Sequence, residues 1–288
     1  MTETTTPLVN KASVEAHVEF GRMRGVAAGI GRSLLSAVIT VAIVLAVWVI
    51  FLQALDVNEF VGKGPAQVWE YLFTEDDAAE NLREVIDLTQ VTLRDAGIGF
   101  IAGMLAAVLL SVSIVLSRPA ESAIMPVALL LRSVPLIAMT PVIRMIFGNG
   151  ITTIAIVDGI VVLFPALVTI VFGLRSTSPQ MHDVVAVYGG SPAMALRKVD
   201  IPSALPSVFA AVRISVPGAI TGALIAEWLG GTGDGVGYAV VSALGRSQNT
   251  KVWSLIIVIT FVSLILYTFA QVIESFVLAR MGTEAGKA

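Results

Sequence analysis

The sequence contains no cysteine and only two histidines in 288 residues. The first absence excludes disulfides, thiolate metal sites and thiol chemistry. The histidines, His17 and His182, have no ligand-spaced neighbours, so no metal site is expected. His182 is read as a solvated loop residue. No G-x-x-x-x-G-K-[ST] phosphate loop is present, which removes that route to nucleotide binding. No nucleophile sits beside a base, so no catalytic residue is assigned. Charge is also scarce, at 14% against 56% hydrophobic residues. A mean hydropathy of +0.87 lies well outside the range of a soluble globular domain. The net charge of −3 gives no reason to expect a nucleic-acid partner.

What is present is apolar length. Six stretches are long enough to cross a hydrocarbon core of about 30 Å, which takes about 20 helical residues. They are Ser33–Leu55, Ala96–Leu116, Ser122–Phe147, Ile151–Phe172, Ser207–Leu229 and Val252–Leu278. The runs are continuously apolar instead of alternating, which specifies helices and not barrel strands. The expected fold is an all-α, polytopic membrane bundle. A polar tail over residues 1–32, a membrane domain over 33–278 and a short tail over 279–288 follow from the same reading. The first span is too long and too poorly flanked for a cleaved signal peptide and is expected to be retained. Lys and Arg in the flanks divide ten to five in favour of both termini being cytoplasmic. The 56–90 loop, with nine acidic and two basic residues, is then external. Within it, the aromatics of Pro65–Phe73 suit either an interfacial helix or one packed on the bundle.

The third span is interrupted by Arg132, Pro135, Pro141 and Arg144, with Pro126 near its start. Interior prolines remove backbone hydrogen bonds and kink helices. Such helices are tolerated where protein covers them or where they line an aqueous cavity. This span and the Pro217-containing fifth span are therefore placed toward the interior. Five ionisable residues fall in or near spans, where each must face the interior or an interface. Arg144 and Glu227 lie near outer ends and are expected to snorkel. Arg132, Asp158 and Arg213 sit deeper, as structural ion pairs or as residues of a translocation path or gate. Gly99/Gly103 and Gly218/Gly222 have the spacing of close helix approach. The glycine-rich run Gly230–Gly237 is read as a flexible outer turn.

The most informative stretch is the polar interval 174–205, held between two spans and cytoplasmic on this topology. It holds a helical segment at Asp183–Tyr188, a corner at Gly189-Gly190-Ser191-Pro192, and a second helical segment at Ala193–Val199. Here Asp183-Val184-Val185, then Gly189, then Val199-Asp200-Ile201-Pro202 match in spacing the Glu-Ala-Ala…Gly…Ile-x-Leu-Pro loop of one family. That family is the permease subunits of binding-protein-dependent ATP-binding-cassette importers of type I. Further matching residues are Thr92-Leu93-Arg94, Gly99-Phe100, Leu131–Pro135, Pro141, Phe147–Gly150, Ala226-Glu227 and Gly235–Tyr238. Within the family the run resembles the sulfonate, taurine and nitrate branch. Asp for Glu at 183, and Val for Ala at 184 and 185, depart from the pattern.

The resemblance implies a coupling helix that docks on a cytoplasmic ATPase. Asp183, Val184, Val185, Gly189, Gly190, Ser191, Pro192, Val199, Ile201 and Pro202 would form the ATPase-coupling segment. Arg132, Pro135, Pro141, Asp158, Arg213 and Glu227 would line or gate the path. ATP and magnesium would be held by the partner ATPase and not by this chain. The remaining implied partners are an external substrate-binding protein, a second permease copy or paralogue, and the lipid of a prokaryotic inner membrane. The expected solute is small and anionic or polar: an alkanesulfonate, taurine, nitrate or a vitamin precursor. The rival reading is a secondary transporter driven by an ion gradient, which predicts paired repeats with matching broken helices.

Overall fold

The computed structural model describes residue 39, residues 41–230 and residues 233–280. The expected tail 1–32, residues 281–288 of the expected tail 279–288, the start of the first span, and the side chains of Leu131, Arg132, Gly230 and Arg280 lie outside the described set. Every element among the described residues is helical. The chain divides into two compact units at Ala66/Gln67. The first holds α1, Val41–Ala54, followed by a turn in which Asn58 accepts from the Phe60 amide at 2.8 Å.

The second unit is built from ten further helices and one π segment. They are α2 Pro65–Phe73, α3 Ala78–Leu116, α4 Arg118–Ser133, α5 Leu136–Phe147, α6 Ile151–Leu174, α7 Pro179–Val187 and α8 Pro192–Ala195. The π segment Leu196–Asp200 follows, then α9 Ile201–Gly230, α10 Gly235–Gly245 and α11 Asn249–Arg280. Among the described residues four helices are long and apolar enough to span: α3, α6, the continuous helix Pro192–Leu229, and α11. The α3 helix has 39 residues, about 58 Å, nearly twice the hydrocarbon thickness. Its first turns carry Glu80, Arg83, Glu84 and Asp87. The segment 78–90, expected as loop, is therefore a helical extension of the second span.

The core is the crossing of α3, α6 and α9. Backbones approach so closely there that only glycine fits at three positions. A Cβ on Gly99 would overlap the Asp158 carboxyl, and one on Gly222 would meet Asp158 from the other side. Gly103 lies against the Gly159 carbonyl and Val162 in the same manner. Gly218 is in ordinary contact only, 3.5 Å from Val161. Asp158 is thus the wedge between two glycine notches. It is fully buried, and neither of its oxygens has a hydrogen-bond partner among the described residues. Toward the end that carries α7, the same helices enclose Ala107, Ile114, Leu167, Ile170, Leu174 and Ala211.

The third expected span is two helices. Val134, with extended backbone, separates α4 from α5, and Pro135 sits at the N-cap of α5. Pro126 and Pro141 remain inside α4 and α5. Its placement toward the interior is not what the single chain shows. Val127, Leu129, Leu130, Ile137, Met145 and Ile146 are exposed, whereas α9 is central as expected. A kinked helix needs cover, and within one chain it comes on one side only, for α4 chiefly from α3 and for α5 from α6 and α9.

The glycine notches make a stability prediction. Gly99→Ala and Gly222→Ala each force Asp158 to move, which costs about 1–3 kcal/mol. Both variants should lower the melting temperature in detergent. Gly97→Ala, whose Cβ meets nothing within 4 Å, should leave it unchanged.

Candidate functional site

The polar interval 174–201 is a folded device with two joints. The α7 helix begins at Pro179, four residues before the expected start, with proline in its first turn after Ser178, the position where a missing amide costs nothing. It ends at a glycine corner. Gly189 has φ +73°, the left-handed region that a side chain enters at a cost of about 1–2 kcal/mol. The Gly189 amide donates to Ala186 O at 2.9 Å and the Gly190 amide to Val185 O at 2.8 Å. These are the two bonds of a Schellman stop. Gly190 is glycine for space: a Cβ there would run into Val185. Ser191 then caps α8, accepting from the Met194 amide at 3.3 Å, with Pro192 behind it in the first turn. Serine followed by proline is a strong helix start.

The second joint is the π segment. The Ile201 amide reaches back five residues to Leu196 O, so the helix widens just before Pro202, which has no amide to give. The chain does not leave the helix at Val199, as the sequence suggested, but runs on to Leu229. The widening turns Asp200 inward, where it is buried. Asp200 Oδ1 accepts from Thr177 Oγ1 at 2.6 Å and meets His182 Nε2 at 2.7 Å. One carboxylate thus fastens the end of α6, the middle of α7 and the base of α9. His182 is therefore not a free loop residue. Thr177 and Asp200 were missed as site residues. The signal available was an acidic residue set between Val199 and Ile201 in an otherwise apolar stretch.

Around this brace, Arg175 and Glu121 form a bidentate pair at 2.9 and 2.7 Å, tying the end of α6 to the first turn of α4. The Arg175 hydrogen bond holds the Glu121 carboxyl below its usual value. A cavity of about 380 Å³ lies behind α7, bounded by Val115, His182, Val185, Gly190, Leu196 and Asp200 among others. The opposite face of α7 is apolar and open: Met181, Val184, Val187 and Tyr188 are exposed, the last two at 83% and 87%. Of the expected coupling residues, Asp183, Val184, Gly189, Ser191, Pro192, Ile201 and Pro202 are exposed. Val185 and Gly190 are half-buried, and Val199 is buried.

The expected path residues do not gather in one place. Pro135 and Pro141 belong to the α4–α5 break, and Asp158 to the helix crossing. Arg213 Nε lies 3.2 Å from Glu274 on α11 and its guanidinium 6.0 Å from the Tyr267 ring centre, which is the ion-pair alternative. Arg144 donates to Asn149 at 2.5 Å. Glu227 does not snorkel. It is fully buried, and its Oε2 accepts from Thr92 Oγ1 at 3.0 Å and from the Gly237 amide at 2.7 Å. The run read as a flexible turn opens α10 at Gly235, with Gly231 and Thr232 outside the described residues.

Residues 99–281, more than half of the chain, match the family described as binding-protein-dependent transport system inner membrane component. The chain belongs to that family. It is a multi-pass inner-membrane permease component of an ATP-binding-cassette transport system and not a catalytic subunit. ATP is handled by the partner ATPase, and the system implies a binding protein as well. The chain is 28% identical to a probable ABC transporter permease protein of Haemophilus influenzae over 81% of its length and 93% of that protein. It is 27% identical to the putative aliphatic sulfonates transport permease protein SsuC of Bacillus subtilis, over 66% of its length and 69% of that protein. Among solved structures it resembles a chain of an amino acid ABC transporter crystallised with histidines. There the TM-score is 0.54 at 17% identity, covering 72% of this chain and 100% of that one, which supports the fold.

Asp200→Ala removes the shared acceptor of Thr177 and His182. Losing bonds worth about 1–2 kcal/mol in total should speed amide hydrogen exchange in α7 by about 5- to 30-fold, while α3 and α6 remain as protected as before.

Proposed function

We propose that the α7–α8 segment is the coupling element through which an ATPase drives this permease, and that the chain conducts a small anionic or polar solute. The observation that carries the proposal is the exposed stripe Met181, Val184, Val187 and Tyr188, which sits on a polar interval where water would disfavour it. Its spacing is that of one helix face, the form in which a helix is seated in a groove on a partner. The two joints fit the task. A segment that transmits force must not bend between its contact face and the membrane helix it moves. The glycine stop, the serine cap and the Asp200 brace each remove a degree of freedom.

On this reading Asp183, Val184, Val185, Gly189, Gly190, Ser191, Pro192, Val199, Ile201 and Pro202 divide the labour. Asp183, Val184 and their exposed neighbours meet the ATPase; Val185, Gly189 and Gly190 shape the corner; Val199 and Pro202 set the π joint. The excess of Lys and Arg on the same side supports a cytoplasmic position for this segment and for both termini. The membrane domain would run over 33–278 between tails 1–32 and 279–288. Two copies, or this chain and a paralogue, would complete the path, since α4, α5 and α11 leave wide apolar faces open within one chain. The binding protein would deliver solute at the opposite end. An alkanesulfonate, taurine, nitrate or vitamin precursor is the solute class favoured by the sequence resemblance and by the sulfonate permease relative. Membership of a binding-protein-dependent family removes the support for an ion-gradient mechanism.

Val187→Asp and Tyr188→Asp place charge on the contact stripe. Each variant should insert in the membrane normally but lose about tenfold or more in affinity for the ATPase, read as loss of the co-purifying subunit in mild detergent. Undiminished recovery of the ATPase with both variants would remove α7 from the interface.

A further inference from the structure

Glu227 and Asp200 stand at opposite ends of one helix. The continuous helix Pro192–Leu229 carries Asp200 in its widened base and Glu227 near its far end, 27 residues and about 40 Å apart. At the base the carboxylate fastens α7. At the far end it fastens α10. An α-helix presents N–H groups with no partner in its first turn, and in α10 three consecutive ones are taken by side chains. The Gly235 amide donates to Asp234 Oδ1 at 2.8 Å, the Val236 amide to Thr92 Oγ1 at 2.8 Å, and the Gly237 amide to Glu227 Oε2 at 2.7 Å. Two of these three acceptors come from other helices, Thr92 from α3 and Glu227 from α9. The Thr92 hydroxyl in turn donates to Glu227 Oε2 at 3.0 Å, which closes the ring.

The fit at this clasp is close. Gly235 has φ +88°, and a Cβ there would fall on the Glu227 carboxyl, while one on Gly237 would strike the Leu224 carbonyl. The α10 helix buries Val236, Ala239 and Ala243 but leaves Tyr238 and Leu244 exposed. It is therefore a short apolar helix clasped at its N-terminus and packed on α3, α9 and α11, with one face open.

We propose that Glu227 is a positioning residue for transport: it ties α10 to α9, so that movement of the coupling segment at the base is delivered to α10 at the far end. This rests on the coupling reading of α7. The helix runs on through Pro206 and Pro217 and packs along α3 and α6, so its base and tip move with that block, and the clasp fastens the start of α10 to it. A merely structural Glu227 would affect how much protein folds, but not the dependence of α10 on nucleotide.

The absence of cysteine makes the test direct, since single cysteines can be labelled with no background from this chain. Leu244→Cys reports on the open face of α10, and Trp228→Cys, also exposed, reports on α9 itself. Both are prepared in the complex with the ATPase and binding protein, in the native, Glu227→Ala and Thr92→Val backgrounds, with Glu227→Gln as the conservative variant. Labelling by an impermeant maleimide is timed with and without ATP. The expected result is a nucleotide-dependent rate at both positions in the native background. In Glu227→Ala and Thr92→Val the dependence at 244 should be lost and that at 228 kept, with uptake lowered about tenfold and ATP hydrolysis continuing. Glu227→Gln, whose amide oxygen can still accept from Gly237, should restore part of the response at 244. Retention of the native nucleotide dependence at 244 in Thr92→Val and in whichever Glu227 variants insert would overturn the proposal. Absence of any response at 228 in the native complex would instead overturn the coupling reading beneath it.

Discussion

The contact on which everything else in the bundle depends is Asp158 seated between Gly99 and Gly222. Among apolar helices in lipid there is no hydrophobic gain from association, so packing and hydrogen bonding must hold them. Glycine lets backbones approach to where dispersion is strongest. Here two glycines on different helices receive one side chain from a third. That fixes the relative depth of α3, α6 and α9 together. Any slide of α9 along α6 would drive the Gly222 turn into the Asp158 side chain. The three helices accordingly behave as one block, and motion within the chain must be motion of that block or of the pieces attached to its ends.

Those attachments follow a common design. At each end a carboxylate on the Pro192–Leu229 helix takes two donors from neighbouring elements: Thr177 and His182 at Asp200, Thr92 and Gly237 at Glu227. Burial from water sharpens the preference for the bonded arrangement, because an unpaired polar group there is costly. A third ionic contact, Arg213 with Glu274, ties the middle of α9 to α11. Three buried acids, Asp200, Glu227 and Glu274, therefore fasten one element to another, whereas Asp158 acts by shape.

Much of this was legible in the sequence. Apolar length gave four of the six expected spans as long apolar helices among the described residues, because the membrane sets one length scale for them. The polar interval gave the place of the α7–α8 corner, and the Gly99/Gly103 spacing gave a close helix approach. What sequence reasoning lost were long-range partners. Glu227 lies near the end of an apolar run, and hydropathy alone assigns such a residue to the interface. Only the fold-back of α10 brings Gly237 and Thr92 around it. Asp234 ahead of the apolar run from Val236 was a usable helix-start signal, overridden by the density of glycine. His182 was read as solvated because its partner is 18 residues away, across a corner whose geometry no local pattern specifies. The inward placement of α4 and α5 failed for a different reason. Proline-broken helices require cover, but the requirement does not say that the same chain supplies it.

The assignment of deep charge also bears on selectivity. An arginine in a membrane helix invites the idea of an anion path, yet Arg213 is already matched by Glu274 and stacked toward Tyr267. Asp158 is sealed at a crossing, and Glu227 is committed to α10. A solute that displaced any of them would have to break a contact the bundle needs. Selection is therefore more economically placed on surfaces that have no internal duty: the open faces of α4, α5 and α11, and the binding protein that delivers the solute. This separates two functions within one chain. The interior keeps the block rigid enough to be pushed, and the faces around it remain free to vary with the solute, which suits a family whose members carry different cargoes on one scaffold.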